Sequence, residues 1–211
     1  MTGAPVPRDL VVLVADRDME FAVKGLLSKP QRLGIHPVTS DIYVYPNRDS
    51  GCLLKCDSFL QLFVNSHAFA VVLFDRHGCG REAACREEIE NEVEIRLSIS
   101  GWARRSVAIV LDPELEVWVW SDSPHVESLM GWSGKSPDLR TWLIQKGFTD
   151  ARYAKPNQPK KAVEQALRVA NKARSSSLYN QLAQQVSLER CVDPSFSKLK
   201  ATLKLWFPVQ P

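Results

Sequence analysis

Three apolar segments of this 211-residue chain each run into an acid. LVVLVA leads to Asp16, FAVVLF to Asp75 and SVAIVL to Asp112, with Glu114 and Glu116 close behind the last. Acids that meet at one rim of a sheet can hold a hard divalent cation, which prefers oxygen ligands. A cation held this way can activate water and neutralise charge on a phosphodiester. Asp16, Asp75 and Glu116, or Glu114 in its place, are therefore the candidate metal ligands, with Mg²⁺ or Mn²⁺ as the expected ion. Glu20 sits one helical turn beyond Asp16 and is a candidate to orient a ligand or act as a base. His77 is a candidate ligand, a general acid or a plain loop histidine.

Each acid also has a plainer reading. Asp16 or Asp18 can cap a helix, Asp112 can cap one beginning at Pro113, and Glu20 can be a helix-surface residue. Asp75 resists this treatment because it ends the most apolar run and precedes a Gly-rich turn, His77-Gly78-Cys79-Gly80. Other chemistries find little support. The chain lacks a GxSxG elbow, a Walker loop, a GxGxxG after its first strand and an HExxH pair. His36, His67, His77 and His125 are scattered, and the five cysteines have neither zinc-knuckle nor CxxC spacing. Reduced thiols in a cytoplasmic protein are expected. Cys85 falls on an apolar helical stripe and is expected in the core.

The elements that would position these acids alternate strand and helix. Strands are expected at 10–15, 41–45, 69–74 and 106–111, and helices at 18–28, 57–65 and 81–98. Asp18 is the expected N-cap of the first helix, and Pro30 closes it. In the third helix Cys85, Ile89, Val93 and Leu97 form one face, while Glu82, Glu87, Glu88, Glu90, Glu92 and Glu94 read as a solvated surface. A continuous apolar strand such as 69–74 reads as buried on both faces. The alternation predicts an α/β fold with parallel pairing and right-handed crossovers. After Asp112 the stretch PELEVWVW reads as helix, with Pro113 in its first turn. Shorter helices are expected at 125–130 and 138–146, and three more follow Pro159.

Charge divides the chain. Residues 151–211 carry 11 Lys and Arg against three acids, a net of +8, and the first 150 carry a net of −5 within an overall +3. The domain reading follows that division: an α/β core over 1–150 and a basic helical extension over 151–211, packed on the core because about 60 residues make a marginal core alone. Lys155, Lys160, Lys161, Arg168, Lys172 and Arg174 are the candidate nucleic-acid contacts, unless such lysines merely coat helix surfaces. With 45% hydrophobic residues the chain can bury a real core. Met1 to Pro7 lacks the pattern of a signal peptide and no apolar run approaches membrane-spanning length, so no membrane partner is expected.

These motifs resemble the TOPRIM-like fold, the metal-binding α/β module of topoisomerases, primases and overcoming-lysogenisation-defect-type nucleases. The nearest likeness is to small stand-alone bacterial proteins found beside defence genes. Their VEGxTExxF motif corresponds to Ala15-Asp16-Arg17-Asp18-Met19-Glu20-Phe21, with Asp16 for the first Glu and Arg17 for the Gly. Their DxDG strand end corresponds to Asp75-Arg76-His77-Gly78, with His77 for the second Asp. Their PELEAWLLAD-like motif corresponds to Pro113-Glu114-Leu115-Glu116-Val117-Trp118 and then Ser121-Asp122. The C-terminal pattern fits at Pro159-Lys160-Lys161, after Ser175-Ser176-Ser177 at Leu178-Tyr179, and at Arg190-Cys191 and Pro194-Ser195-Phe196. The resemblance implies a TOPRIM-like mostly parallel sheet flanked by helices. It also implies a metal-dependent nuclease or nuclease-like subunit of a bacterial antiphage defence system, acting on DNA or RNA with other defence-system proteins. The departures at Asp16 and His77 leave a second implication open: a catalytically degenerate scaffold with a docking surface at Trp118, Trp120, Trp132 or Trp142. Imidazole suits softer ions than Mg²⁺.

Overall fold

A computed structural model describes residues 7–121, 123–150 and 155–209. Four strands, β1 (Arg8–Val14), β2 (Ser40–Val44), β3 (His67–Asp75) and β4 (Ser106–Leu111), form an all-parallel sheet in the order β2-β1-β3-β4. β1 and β3 are the central strands, and their apolar runs are almost wholly buried, as continuous Val/Leu segments require when both sheet faces are covered. β2, an edge strand, is only half-buried.

Helices α1 (Arg17–Leu27), α2 (Pro30–Leu33), α3 (Arg48–Leu60) and α4 (Arg86–Leu97) connect the strands. Right-handed crossovers put α1 on one face of the sheet and α3 and α4 on the other, because the chain moves one way from β1 and the opposite way after β2. The remaining helices are α5 (Pro124–Leu129), α6 (Leu139–Gln145), α7 (Pro159–Val169), α8 (Ser176–Gln185) and α9 (Pro194–Trp206). α8 lies along α1 so closely that Gly25 faces the carbonyl of Asn180, and α9 packs on β4. The apolar core continues from the strands into α7, α8 and α9 without interruption.

Several local expectations need correction. Asp16, not Asp18, caps α1, accepting the Met19 amide at 2.9 Å. α3 begins at Arg48, nine residues before the expected start, because Cys52, Leu53 and Cys56 extend the buried stripe of Leu60. Cys85 is exposed at the N-cap of α4 and not in the core. The stretch after Pro113 forms only a short 3₁₀ turn, Leu115–Trp118. Trp120, Trp132 and Trp142 are buried and Trp118 half-buried, each donating its indole N–H or stacking inside the core.

The acidic face of α4 is not simply solvated. Glu90 is buried and accepts the Val110 amide at 3.0 Å, while Glu94 accepts the Ala108 amide at 3.1 Å. From α9, Lys198 donates to the Ala108 carbonyl at 3.0 Å and to Glu90 and Glu94 at 3.1 and 2.7 Å. Arg86 closes the group on Glu90. Charged side chains thus take up the outward backbone groups of edge strand β4, where another strand would otherwise pair.

Candidate functional site

In open parallel sheets, ligands gather at the carboxyl ends of strands where the strand order reverses. Here that point lies between β1 and β3. Asp16 follows β1 and Asp75 is the last residue of β3, so topology delivers both to one crevice. The 3₁₀ turn brings Glu116 beside them, fixed to β3 because Asp75 Oδ1 accepts the Leu115 amide at 2.8 Å.

A fourth acid belongs to the group. Asp49, in the first turn of α3, accepts the Asp75 amide through Oδ1 at 2.8 Å. It does not end an apolar run as Asp75 does but lies past β2, inside a helix, so the pattern of strand-end acids does not reveal it.

Burial and like charge act together in this crevice. Asp75 is only 8% exposed. Desolvation first, then the charges of Asp49, Glu116 and Asp16, push its carboxyl well above the ordinary range, with Lys160 opposing. Asp49 is raised by burial and by Asp16, against the pull of the Asp75 amide and Lys160. Glu116, 2% exposed, is raised by burial but opposed by the Tyr179 hydroxyl and by Arg174 and Lys160. Asp49, Glu116 and Asp16 therefore all bear on the charge of Asp75, and Lys160 opposes the rise at Asp75, Asp49 and Glu116.

Glu116 has the most elaborate surroundings. Its Oε1 accepts the Tyr179 hydroxyl at 2.6 Å and Arg174 Nη2 at 3.1 Å. Arg174 also donates to Asp18 Oδ2 at 2.8 Å, Glu164 Oε1 at 3.0 Å and the Tyr179 oxygen at 3.2 Å. Glu116 and the other acids around it keep the guanidinium charged despite its partial burial. The remaining Asp18 oxygen takes the Ser176 hydroxyl at 2.6 Å.

The other sequence candidates lie apart from this group. Glu20 is spent on an i,i+4 ion pair with Lys24. Glu114 accepts the Lys160 amide at 3.0 Å, and its other oxygen is 3.8 Å from Nδ1 of His77, whose side chain is largely exposed. The turn after His77 is held by Glu82, which accepts the Gly78 and Gly80 amides at 2.9 and 3.2 Å. Both glycines have positive φ, +95° and +88°, so a side chain there would be strained. Asp112 pairs with Arg76 at 2.8 Å. Asp122 of the PELEAWLLAD-like match lies outside the described residues.

The six basic candidates do not present a single free face. Lys155 pairs with Asp193 at 2.7 Å, Lys172 donates to the Leu129 carbonyl, Lys160 faces the acids electrostatically and Arg174 is bound by three carboxylates. Lys161 and Arg168 are exposed on α7.

The donor set is hard oxygen, which suits Mg²⁺ or Mn²⁺ in kind. In arrangement it does not yet suit either: among the described residues no three His, Cys, Asp or Glu side chains are disposed to hold a metal ion. Asp16, Asp49, Asp75 and Glu116 each commit one oxygen to a protein N–H or O–H. No helix among the described residues is long and apolar enough to cross a membrane. No family model, no curated protein and no solved structure matches this chain.

Proposed function

We propose that the crevice is a TOPRIM-like carboxylate centre for phosphodiester chemistry, and that the chain is a nuclease or nuclease-like subunit of a bacterial antiphage defence system. The observation that carries this reading is the convergence of acids on Asp75 at the switch point: Asp49 is bonded to its amide, the turn bearing Glu116 is bonded to its carboxylate, and the charges of Asp49, Glu116 and Asp16 all bear on its buried carboxyl. Evolution of a stable fold does not call for such repulsion, whereas a cation site does. The family assignment rests on Asp75-Arg76-His77-Gly78 and on Pro113 to Trp118.

Under this reading Mg²⁺ or Mn²⁺, held by Asp16, Asp75 and Glu116, would activate water and offset charge on the phosphate. Asp49 fixes the backbone at Asp75. Lys160 balances the acids, and Lys161 and Arg168 contact the DNA or RNA backbone, which makes binding fall steeply with salt. The exposed His77, 3.8 Å from Glu114, would stand at the solvent side of the crevice.

A second reading draws on one specific observation, the hold of Tyr179 and Arg174 on Glu116. A crevice already neutralised by its own chain suits a non-catalytic subunit that scaffolds other defence proteins.

One experiment separates the two. Single- and double-stranded DNA and RNA are incubated with the wild type, Asp75→Ala and Glu116→Ala in Mg²⁺ or Mn²⁺, and the same variants are carried through phage challenge. Cleavage by the wild type alone, with protection lost in both variants, is the expected result. Absence of cleavage with either ion, together with full protection by both variants, would overturn the enzyme in favour of the scaffold.

A further inference from the structure

We propose that the turn His77–Gly80 is a phosphate-binding nest, closed by the carboxylate of Glu82, which a phosphate group displaces. The site borders the carboxylate crevice but uses none of its acids and no metal, so it holds whether or not the crevice cleaves phosphodiesters.

Alternate amides of the turn, those of Gly78 and Gly80, donate to one and the same oxygen, Oε1 of Glu82, at 2.9 and 3.2 Å. Amides two residues apart converge on one atom where the chain passes through a left-handed residue, and both glycines are left-handed. A concavity of N–H groups built this way attracts anions, as glycine-rich loops attract phosphate. Conformation, not crowding, is what calls for glycine here. A Cβ on Gly80 would meet nothing within 4 Å, and one on Gly78 would meet Asp49 Oδ2 at 3.7 Å. The turn itself is anchored from beneath. Cys79 is buried and its amide donates to the Arg76 carbonyl at 3.3 Å, while the His77 amide donates to the Pro113 carbonyl at 3.0 Å.

Glu82 has the character of a replaceable occupant. It is exposed, in the loop between Gly80 and α4. Its own amide, then those of Gly80 and Gly78, hold its carboxyl below the ordinary glutamate range, with the nearby His77 adding to the effect. Negative charge is therefore favoured at this spot. A phosphate group carries more charge and more acceptor oxygens than a carboxylate, so one oxygen can take both amides and leave the rest for solvent and for the exposed His77. The place also suits a ligand, because the turn directly follows β3 at the rim where ligands of open parallel sheets gather. The ligand class is a phosphate ester, and a free nucleotide or a nucleic-acid strand offers the same oxygens.

The test is amide NMR of the full chain, without divalent metal, on the wild type, Glu82→Gln, Glu82→Ala and Glu82→Ala/Gly80→Ala. The probes are inorganic phosphate, adenosine monophosphate and a short single-stranded DNA with and without a terminal phosphate. Phosphate is expected to shift the Gly78 and Gly80 amides and to bind Glu82→Ala about tenfold more tightly than the wild type, the scale of hydrogen bonds to a charged competitor. Glu82→Gln is expected to fall between them, and the double variant to lose the gain. Should the double variant fail to fold, the order of the wild type and the two Glu82 variants decides alone. A preference for the terminal phosphate supports the nest and identifies a strand end or nucleotide, and equal binding of both DNAs with the same amide shifts supports it and identifies the strand backbone. Unmoved Gly78 and Gly80 amides in Glu82→Ala with every probe, or equal phosphate affinity in the wild type and both Glu82 variants, overturns the nest and leaves Glu82 as a brace of the turn.

Discussion

The Asp49 carboxylate accepts the backbone N–H of Asp75 at 2.8 Å, so the neighbouring acid that most opposes ionisation of Asp75 also fixes its main chain. The two roles oppose each other, and two substitutions separate them. Asp49→Ala leaves the Asp75 amide without an acceptor, at a cost of roughly 1–3 kcal/mol for a buried donor. Asp49→Asn keeps an acceptor and removes the repulsion. Urea denaturation is expected to rank Asp49→Ala clearly below Asp49→Asn, and equal midpoints would contradict the pairing.

Asp75 itself predicts a pH dependence. Its folded carboxyl is raised by burial and by Asp49, Glu116 and Asp16, so the folded state holds its proton where the unfolded state has already lost it. Stability from this group is therefore intact below the ordinary aspartate range, near pH 4, and declines as pH rises through the raised value. Asp75→Asn retains an acceptor for the Leu115 amide and cannot ionise. The melting temperature of Asp75→Asn minus that of the wild type is expected to grow between about pH 4 and pH 7, each kcal/mol appearing as about 2–4 °C. A difference that stays flat or shrinks over that range would contradict the buried charge cluster.

The cover on β4 predicts an effect on association. Glu90→Ala removes a buried partner of Arg86 and Lys198 and strips the acceptor from the Val110 amide. Loss of one member of a buried pair costs roughly 3–5 kcal/mol. Glu94→Ala, at a half-buried site, is expected to cost about 1 kcal/mol. Size-exclusion chromatography is expected to show added dimer or larger species for the double variant Glu94→Ala/Lys198→Ala, since the strand edge is then free to pair. A strictly unchanged elution would show that the edge needs no such cover.

A substitution that ordinary helix propensity favours is expected to harm this protein. Gly25→Ala in α1 would gain roughly 1 kcal/mol in an isolated helix. In the fold its new methyl would stand 2.5 Å from the Asn180 carbonyl oxygen and 2.8 Å from Ala183 Cβ, forcing α8 away. Overpacking of this kind costs roughly 1–3 kcal/mol. A lower melting temperature than the wild type is expected, and a higher one would mean that α1 and α8 separate easily.

Much of the frame was legible because buried parallel strands advertise themselves. The runs ending at Asp16, Asp75 and Leu111 have no alternative use for so many consecutive β-branched and aliphatic residues, and β1, β3 and β4 stand where they were expected. The crevice acids Asp16, Asp75 and Glu116 follow from that frame. Asp49 was hidden because α3 carries Gly51 and two cysteines in its stripe, which disguised its first two turns. Glu90 and Glu94 looked like solvent-facing charge because periodicity reports which side a residue lies on, not which strand amides lack partners there. Arg174 looked like a phosphate contact because composition reveals its charge and conceals the three acids, 10 to 156 positions away, that claim it.

The order of synthesis gives the Arg174 contact one further meaning. Glu116 leaves the ribosome 58 positions before the guanidinium that balances it. Until Lys160 and then Arg174 follow, the acids of the nascent sheet lack the cations that oppose their charge in the finished fold. The charge balance of the crevice is thus completed only by residues from the final third of the chain.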